Sequence, residues 1–286
     1  MKNRSWPDSV TFGTREFSFS GIYREGGLDF DVRVDETNIP EDSSLSTAEL
    51  HTLLANRQNA VTNSNVWRLW LLVGSRQNNT FGLMFDSQPP HRQGAVAFFD
   101  AVLGDDDFIA SSAQNQKLGD VHLAFLRTIV HEAGHAFNLY HPKHDVHDVT
   151  VGTTIMNQTG DVMSFATPSN PYPDNSTLAF NEHNRRSLVH SPDPQVKPGW
   201  KRFGWGHGSA SSGIPEPTDV FGLDNGIEVK HGFELKANFL ETVVHPGEFI
   251  AGTIELKNVS DQRQTVPNSL NPVSYTHLTL PTILLV

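Results

Sequence analysis

The stretch IVHEAGHAFNLYH, residues 129–141, gathers three histidines and one glutamate into an otherwise apolar run. His131 and His135 stand four apart, and on an α-helix residues at that spacing share a face. Two imidazoles placed this way can begin a zinc site. Glu132 is rotated by about 100° from His131 on such a helix, so its carboxylate can reach a water on the metal without becoming a ligand. Two imidazoles leave a zinc ion under-coordinated. His141 lies six residues beyond His135, too far to share that face of a straight helix, so the helix must stop and the chain must turn back. Asn138 can make the turn, because after Gly it is the residue that enters the left-handed region most readily. Pro142 then keeps the helix from resuming.

The expected site is therefore three metal ligands, His131, His135 and His141, with a fourth position for water and with Glu132 as the catalytic group. Zinc lowers the pKa of bound water from about 15.7 to about 7. Glu132 would take the proton as water attacks a polarised carbonyl and return it to the leaving amine. These parts suit hydrolysis of a peptide bond.

Composition agrees with a His-based centre. The 286 residues contain no cysteine, which excludes a disulfide framework and a thiolate metal site. The net charge of −11 argues against nucleic acid or an anionic membrane surface as a partner. No apolar run is long enough to span a bilayer, and no apolar leader core follows Met1. Compartment and oligomeric state are open at this level.

Positioning the site requires the following elements. LDFDVRV (28–34) alternates like a strand. SSLSTAELHTLLANRQ (43–58) has helical spacing, with Ser46 or Thr47 to cap it and Glu49 close behind. VWRLWLLV (66–73), FGLMFD (81–86) and GAVAFFDAVL (94–103) are strands by composition. Residues 116–138 form one long helix, with Val121, Phe125, Ile129, Ala133 and Phe137 as its core stripe and the two imidazoles turned away from it. A long stretch rich in Pro, Asn, Ser and Thr (141–180) follows, then a short helix in NEHNRRSLVH (181–190) capped by Asn181. The fold class expected is α+β.

HEAGHAFNLYH resembles the zinc signature HExxHxxGxxH of the metzincins, the matrixin-, serralysin- and astacin-like metallopeptidases. The resemblance covers about residues 28–203 and is strongest over 126–141 and 161–200. It departs at Asn138, where those proteins usually carry Gly. It implies zinc at His131, His135 and His141, Glu132 as the catalytic residue, a mixed twisted sheet, an active-site helix and a methionine turn beneath the metal. DVMSF (161–165) looks like that turn, with Met163; TTIMN (153–157), with Met156, is the competitor and the less favoured of the two. Phe165 then stands where some relatives have a tyrosine. GAVAFFD would be the edge strand over the cleft, and the loop 164–180 would shape the specificity pocket. A secreted location is what the resemblance favours.

The organisation expected is an N-terminal lead (1–26), a zinc metallopeptidase domain (27–205), a linker (206–222) and a truncated β-sandwich module (223–272). In that module FELKANFLETVVHPGEFIAGTIELKNVS alternates around a turn at Pro246-Gly247. Residues 273–286 include VSYTHLTLPT, which resembles translated sequencing-adapter sequence, so the natural chain is expected to continue differently beyond about residue 272. HPKHDVHDV (141–149) and Asp105, Asp106 and Asp107 are weaker places for a second metal or structural Ca2+, and read more simply as solvated loops. The function expected is a zinc metalloendopeptidase acting on protein or peptide. The alternatives are a zinc amidase acting on a substrate such as peptidoglycan, and a non-catalytic surface-binding protein with a protease-like domain.

Overall fold

The computed structural model describes residues 9–33, 44–58, 67–86, 90–145, 148, 150–191, 193–205, 233–239 and 252–259. They fall in two compact units, one within residues 1–216 and one within 217–276. The architecture is α+β, with a small mixed sheet.

The first unit opens with a hairpin, β1 (Val10–Phe12) and β2 (Arg15–Phe17), turned at Gly13 with φ +60°. Helix α1 (Phe19–Glu25) follows, and Ser18 caps it by accepting from the Gly21 N–H. The spacing of Phe19, Ile22 and Tyr23 buries one face. Tyr23 meets Phe19, Phe30, Phe137 and Phe180 at ring-centroid distances of 4.8–5.5 Å. Its hydroxyl donates to the Val130 carbonyl at 2.9 Å, so the lead segment is anchored on the helix that carries the histidines. The expected strand at 28–34 does not form over its described residues, 28–33. Leu28 and Phe30 pack on the core while Asp29, Asp31 and Arg33 bond to near neighbours along the chain. Alternation here marks a segment with its apolar residues toward the core and no ladder partner among the described residues.

Helix α2 (Thr47–Gln58) starts in a capping box. Glu49 accepts from the Ser46 N–H at 2.7 Å, and the Ser46 hydroxyl accepts from the Glu49 N–H at 3.3 Å. The sheet then builds from β3 (Trp70–Gly74), β4 (Gly82–Phe85) and β5 (Gly94–Phe98), in the spatial order β3-β5-β4. β5 is parallel to β3, with Trp70 opposite Gly94, and antiparallel to β4, with Phe85 opposite Gly94. The edge-strand assignment of GAVAFFD is therefore corrected. All five β5 residues are buried, as suits a central strand, and β4 is the described sheet edge nearest the histidine helix.

That helix, α3 (His122–Ala136), packs on β5 and β4 and is shorter than expected. Residues Leu118–Asp120 form a separate 3-10 turn ahead of it. Downstream come α4 (Thr159–Ser164), α5 (Glu182–His190) and α6 (Asp193–Val196). Asn181 caps α5 through its side chain, as read from sequence. The second unit shows one antiparallel pair, β6 (Phe233–Phe239) with β7 (Gly252–Asn258). The turn at Pro246-Gly247, the linker 206–222, His147 and the tail 273–286 lie outside the described residues. Among the described residues no helix is long and apolar enough to cross a membrane.

Candidate metal centre

Helix α3 ends as the left-handed device requires. Asn138 has φ +65°, the Asn138 N–H donates to the His135 carbonyl and the Leu139 N–H donates to the Gly134 carbonyl. This pair of bonds is a Schellman closure. The chain reverses, and Pro142–His144 makes a 3-10 turn instead of more helix. His141 is thereby returned toward His131 and His135.

The three Nε2 atoms form a nearly equilateral triangle. His131 to His135 is 3.1 Å, and each of them lies 3.0 Å from His141. The outer nitrogens are committed elsewhere: Nδ1 of His131 faces the Ile155 carbonyl at 2.7 Å, and Nδ1 of His135 faces the Leu139 carbonyl at 2.8 Å. A carbonyl only accepts, so both Nδ1 atoms carry the proton and both Nε2 atoms present a lone pair. Lone pairs converging at 3 Å repel one another unless a cation sits among them. The donor set thus fits a metal ion, and it is the only cluster of three potential ligands found among the described residues. The three rings are neutral. Burial, with the neighbouring rings and Arg127 adding to it for His131 and His141, pushes His135 down to about 4, His141 down to about 3 and His131 well below its usual value.

Glu132 faces the same pocket, of about 360 Å³, which His131, His141, Asn79, Phe81, Gly82, Arg127, Thr128, Gln158 and Thr159 also line. Burial pushes its carboxyl up to about 8, against the opposing pull of the Met84 backbone amide and the Arg127 charge. Gly82 on β4 makes room for it. A Cβ there would lie 2.5 Å from Glu132 Cγ and 2.8 Å from Thr128 Cγ2.

Several expectations need correction here. His131 and His135 do not face away from packing: α3 is buried nearly all round, and Leu139, Ile155, Met156 and Phe203 lie against its second face. Of the two candidate methionines, the one packed on α3 at Gly134, between His131 and His135 in sequence, is Met156. It is fully buried, and its sulfur lies so close to Gly134 that a Cβ there would run into it. Met163 instead sits on α4 at the core's margin, and Phe165 is half exposed. None of residues 164–180 lines the pocket; its wall comes from α3, from Asn79, Phe81 and Gly82 at and just before β4, and from His141, Gln158 and Thr159.

The weaker metal candidates resolve differently. Asp105, Asp106 and Asp107 are exposed in a loop. Asp145 pairs with His183, and Asp148 takes bonds from Asn181 and Thr150, so these buried carboxylates tie the loop to α5. His91 pairs with Asp86 at 2.8 Å.

A supporting shell escaped the sequence reading. Arg92 is fully buried and donates to the carbonyls of Ala136, Lys197 and Lys201. Asp86 accepts from the N–H groups of Arg92 and Phe203. Phe203 in turn stands edge-on to His135 at 5.4 Å. Asp86 and Arg92 are six residues apart, but the groups they hold lie 44 to 117 residues away in sequence, beyond any local pattern.

Comparisons with protein-family models, with curated proteins and with solved structures find no match.

Proposed function

We propose that this chain is a zinc-dependent metalloendopeptidase of metzincin type. The observation that carries the reading is the triangle of Nε2 atoms, 3.0–3.1 Å on a side, with Glu132 lining the same pocket. Imidazole nitrogens suit zinc among the common metals, and three protein ligands leave a coordination position for chemistry. Zinc held there would supply Lewis acidity toward a carbonyl and toward water.

The chain's own residues do the rest. Glu132 is half-buried in the pocket wall, where desolvation raises its carboxyl to about 8 in the metal-free protein, the property of a group that can both accept and return a proton near neutrality. It takes the proton of the attacking water and passes it to the leaving amine. Gly82 leaves the carboxylate its space. β4, the sheet edge beside α3, offers main-chain groups to which an extended peptide can add as a strand. The pair β6–β7 supports a β-sandwich module as the second unit.

The test is Glu132→Ala in the full chain. It should retain one zinc per chain while chelator-reversible hydrolysis of casein falls by about 10²–10⁴-fold. Undiminished turnover would dismiss this mechanism.

A further inference from the structure

Arg127 lies one helical turn before His131 and is 1 % exposed, yet it forms part of the pocket wall. A guanidinium is always charged, and a buried charge is costly unless hydrogen bonds and a nearby anion offset it. Arg127 has no carboxylate within ion-pair distance among the described residues. Its titratable neighbours are the buried Tyr172 phenol and Glu132, which belongs to the metal centre.

What Arg127 does touch is neutral. One terminal nitrogen donates to Thr159 Oγ1 at 3.3 Å, and the other to the Ile155 and Asn157 carbonyls. These contacts fix the guanidinium in place, and the one carboxyl that acts on its charge, from beyond ion-pair distance, is Glu132. The Arg127 Nε–H makes no hydrogen bond of ordinary geometry, although the Tyr172 hydroxyl stands beside the guanidinium. Gln158 and Thr159, side chains able to donate, share the pocket wall. Thr128 does not compete, since its hydroxyl donates to the Ala124 carbonyl at 2.8 Å.

We propose that this pocket receives a carboxylate side chain, so that the preferred substrates carry Asp or Glu next to the scissile bond, held by Arg127 with help from Gln158 and Thr159. The inference rests on the peptidase reading and names its substrate class. A volume of about 360 Å³ accommodates either side chain. The direct ion pair that Arg127 lacks among the described residues arrives with the substrate, and a fixed guanidinium recognises a carboxylate with little reorganisation.

The experiment is digestion of a proteome-derived peptide library by the zinc-loaded full chain, reading the residues on both sides of each cut. Acidic residues should be enriched about tenfold at one of the two flanking positions, equal to about 1.4 kcal/mol. Cuts flanked by apolar residues without that enrichment would overturn the proposal. Arg127→Met removes the charge but also the ties to residues 155–159. Gln158→Glu therefore serves as the second variant: it places a rival carboxylate in the wall and should abolish the acidic preference, and a preference left intact counts against the site. Absence of any chelator-sensitive cutting would sink the peptidase reading instead. The pocket is then decided by the Arg127 Nε–H resonance of labelled protein titrated with glutarate and with its diamide. A saturable shift with glutarate alone supports the site, and no shift refutes it.

Discussion

The Asn138 side-chain oxygen accepts the backbone N–H of Gly204 at 2.7 Å, and its amide nitrogen donates to the Trp205 carbonyl at 2.8 Å. The residue that ends α3 therefore also grips the segment that presses Phe203 against His135. Gly would make the same turn without the grip, which gives a physical reason for Asn at this place in the motif.

Replacing Asn138 separates the two duties. Asn138→Gly keeps the left-handed backbone and loses two buried bonds, for a cost of about 1–3 kcal/mol. Asn138→Ala should cost about 1 kcal/mol more, because Cβ is disfavoured at φ +65°. Chemical denaturation of the zinc-loaded forms measures both. Equal stability of Asn138→Gly and the parent would show that the side chain contributes nothing.

Gly134→Ala brings a methyl group against the Met156 sulfur inside a fully buried site. Overpacking of this kind costs about 1–3 kcal/mol. Combining it with Met156→Ala should cost less than the two single changes summed, and additive losses in thermal melts would contradict the contact.

Gly82→Ala acts on Glu132 across the pocket. The added methyl meets Glu132 Cγ and Thr128 Cγ2, so the carboxylate must move while the three imidazoles stay. Zinc content should hold, and kcat should drop by at least about tenfold, equal to about 1.4 kcal/mol of barrier. Full activity in this variant would show that the carboxylate has freedom to spare.

Glu132 also makes the metal-free protein sensitive to alkali. Its folded pKa, about 8, lies above the unfolded value, so folding favours the protonated form. Its contribution is present in full below about pH 4.3 and is lost progressively as pH rises toward 8. Metal-free Glu132→Gln should therefore gain stability over the parent as pH climbs through that window, by on the order of 3–5 kcal/mol at pH 8. A stability difference that does not change with pH would place the carboxyl in water.

The histidine centre was legible because its information is local. HExxH spacing is helical geometry, and Asn138 followed by Pro142 spells a stop and a reversal. The caps at Ser46 and Asn181 were legible for the same reason. Strand order was not. GAVAFFD and FGLMFD are both apolar, and only pairing decides which lies inside. Met156 and Met163 are seven residues apart and chemically identical; burial under Gly134 separates them. Helix α1 carried a readable Ser18 cap and an i, i+3, i+4 apolar set that the sequence reading passed over. Arg127 gave one clue, a charge inside an apolar helical run, whose meaning depends on its having no direct ion-pair partner among the described residues.

Asp86 and Arg92 bond to residues 197–203, and Asn138 bonds to residues 204 and 205. During synthesis α3 therefore leaves the ribosome well before the strand of chain that braces its ligands. The imidazoles can gather early, but their outer support arrives only after Trp205 has emerged. A shortened gene product ending before Phe203 would carry every residue of the zinc motif and still lack the brace behind His135.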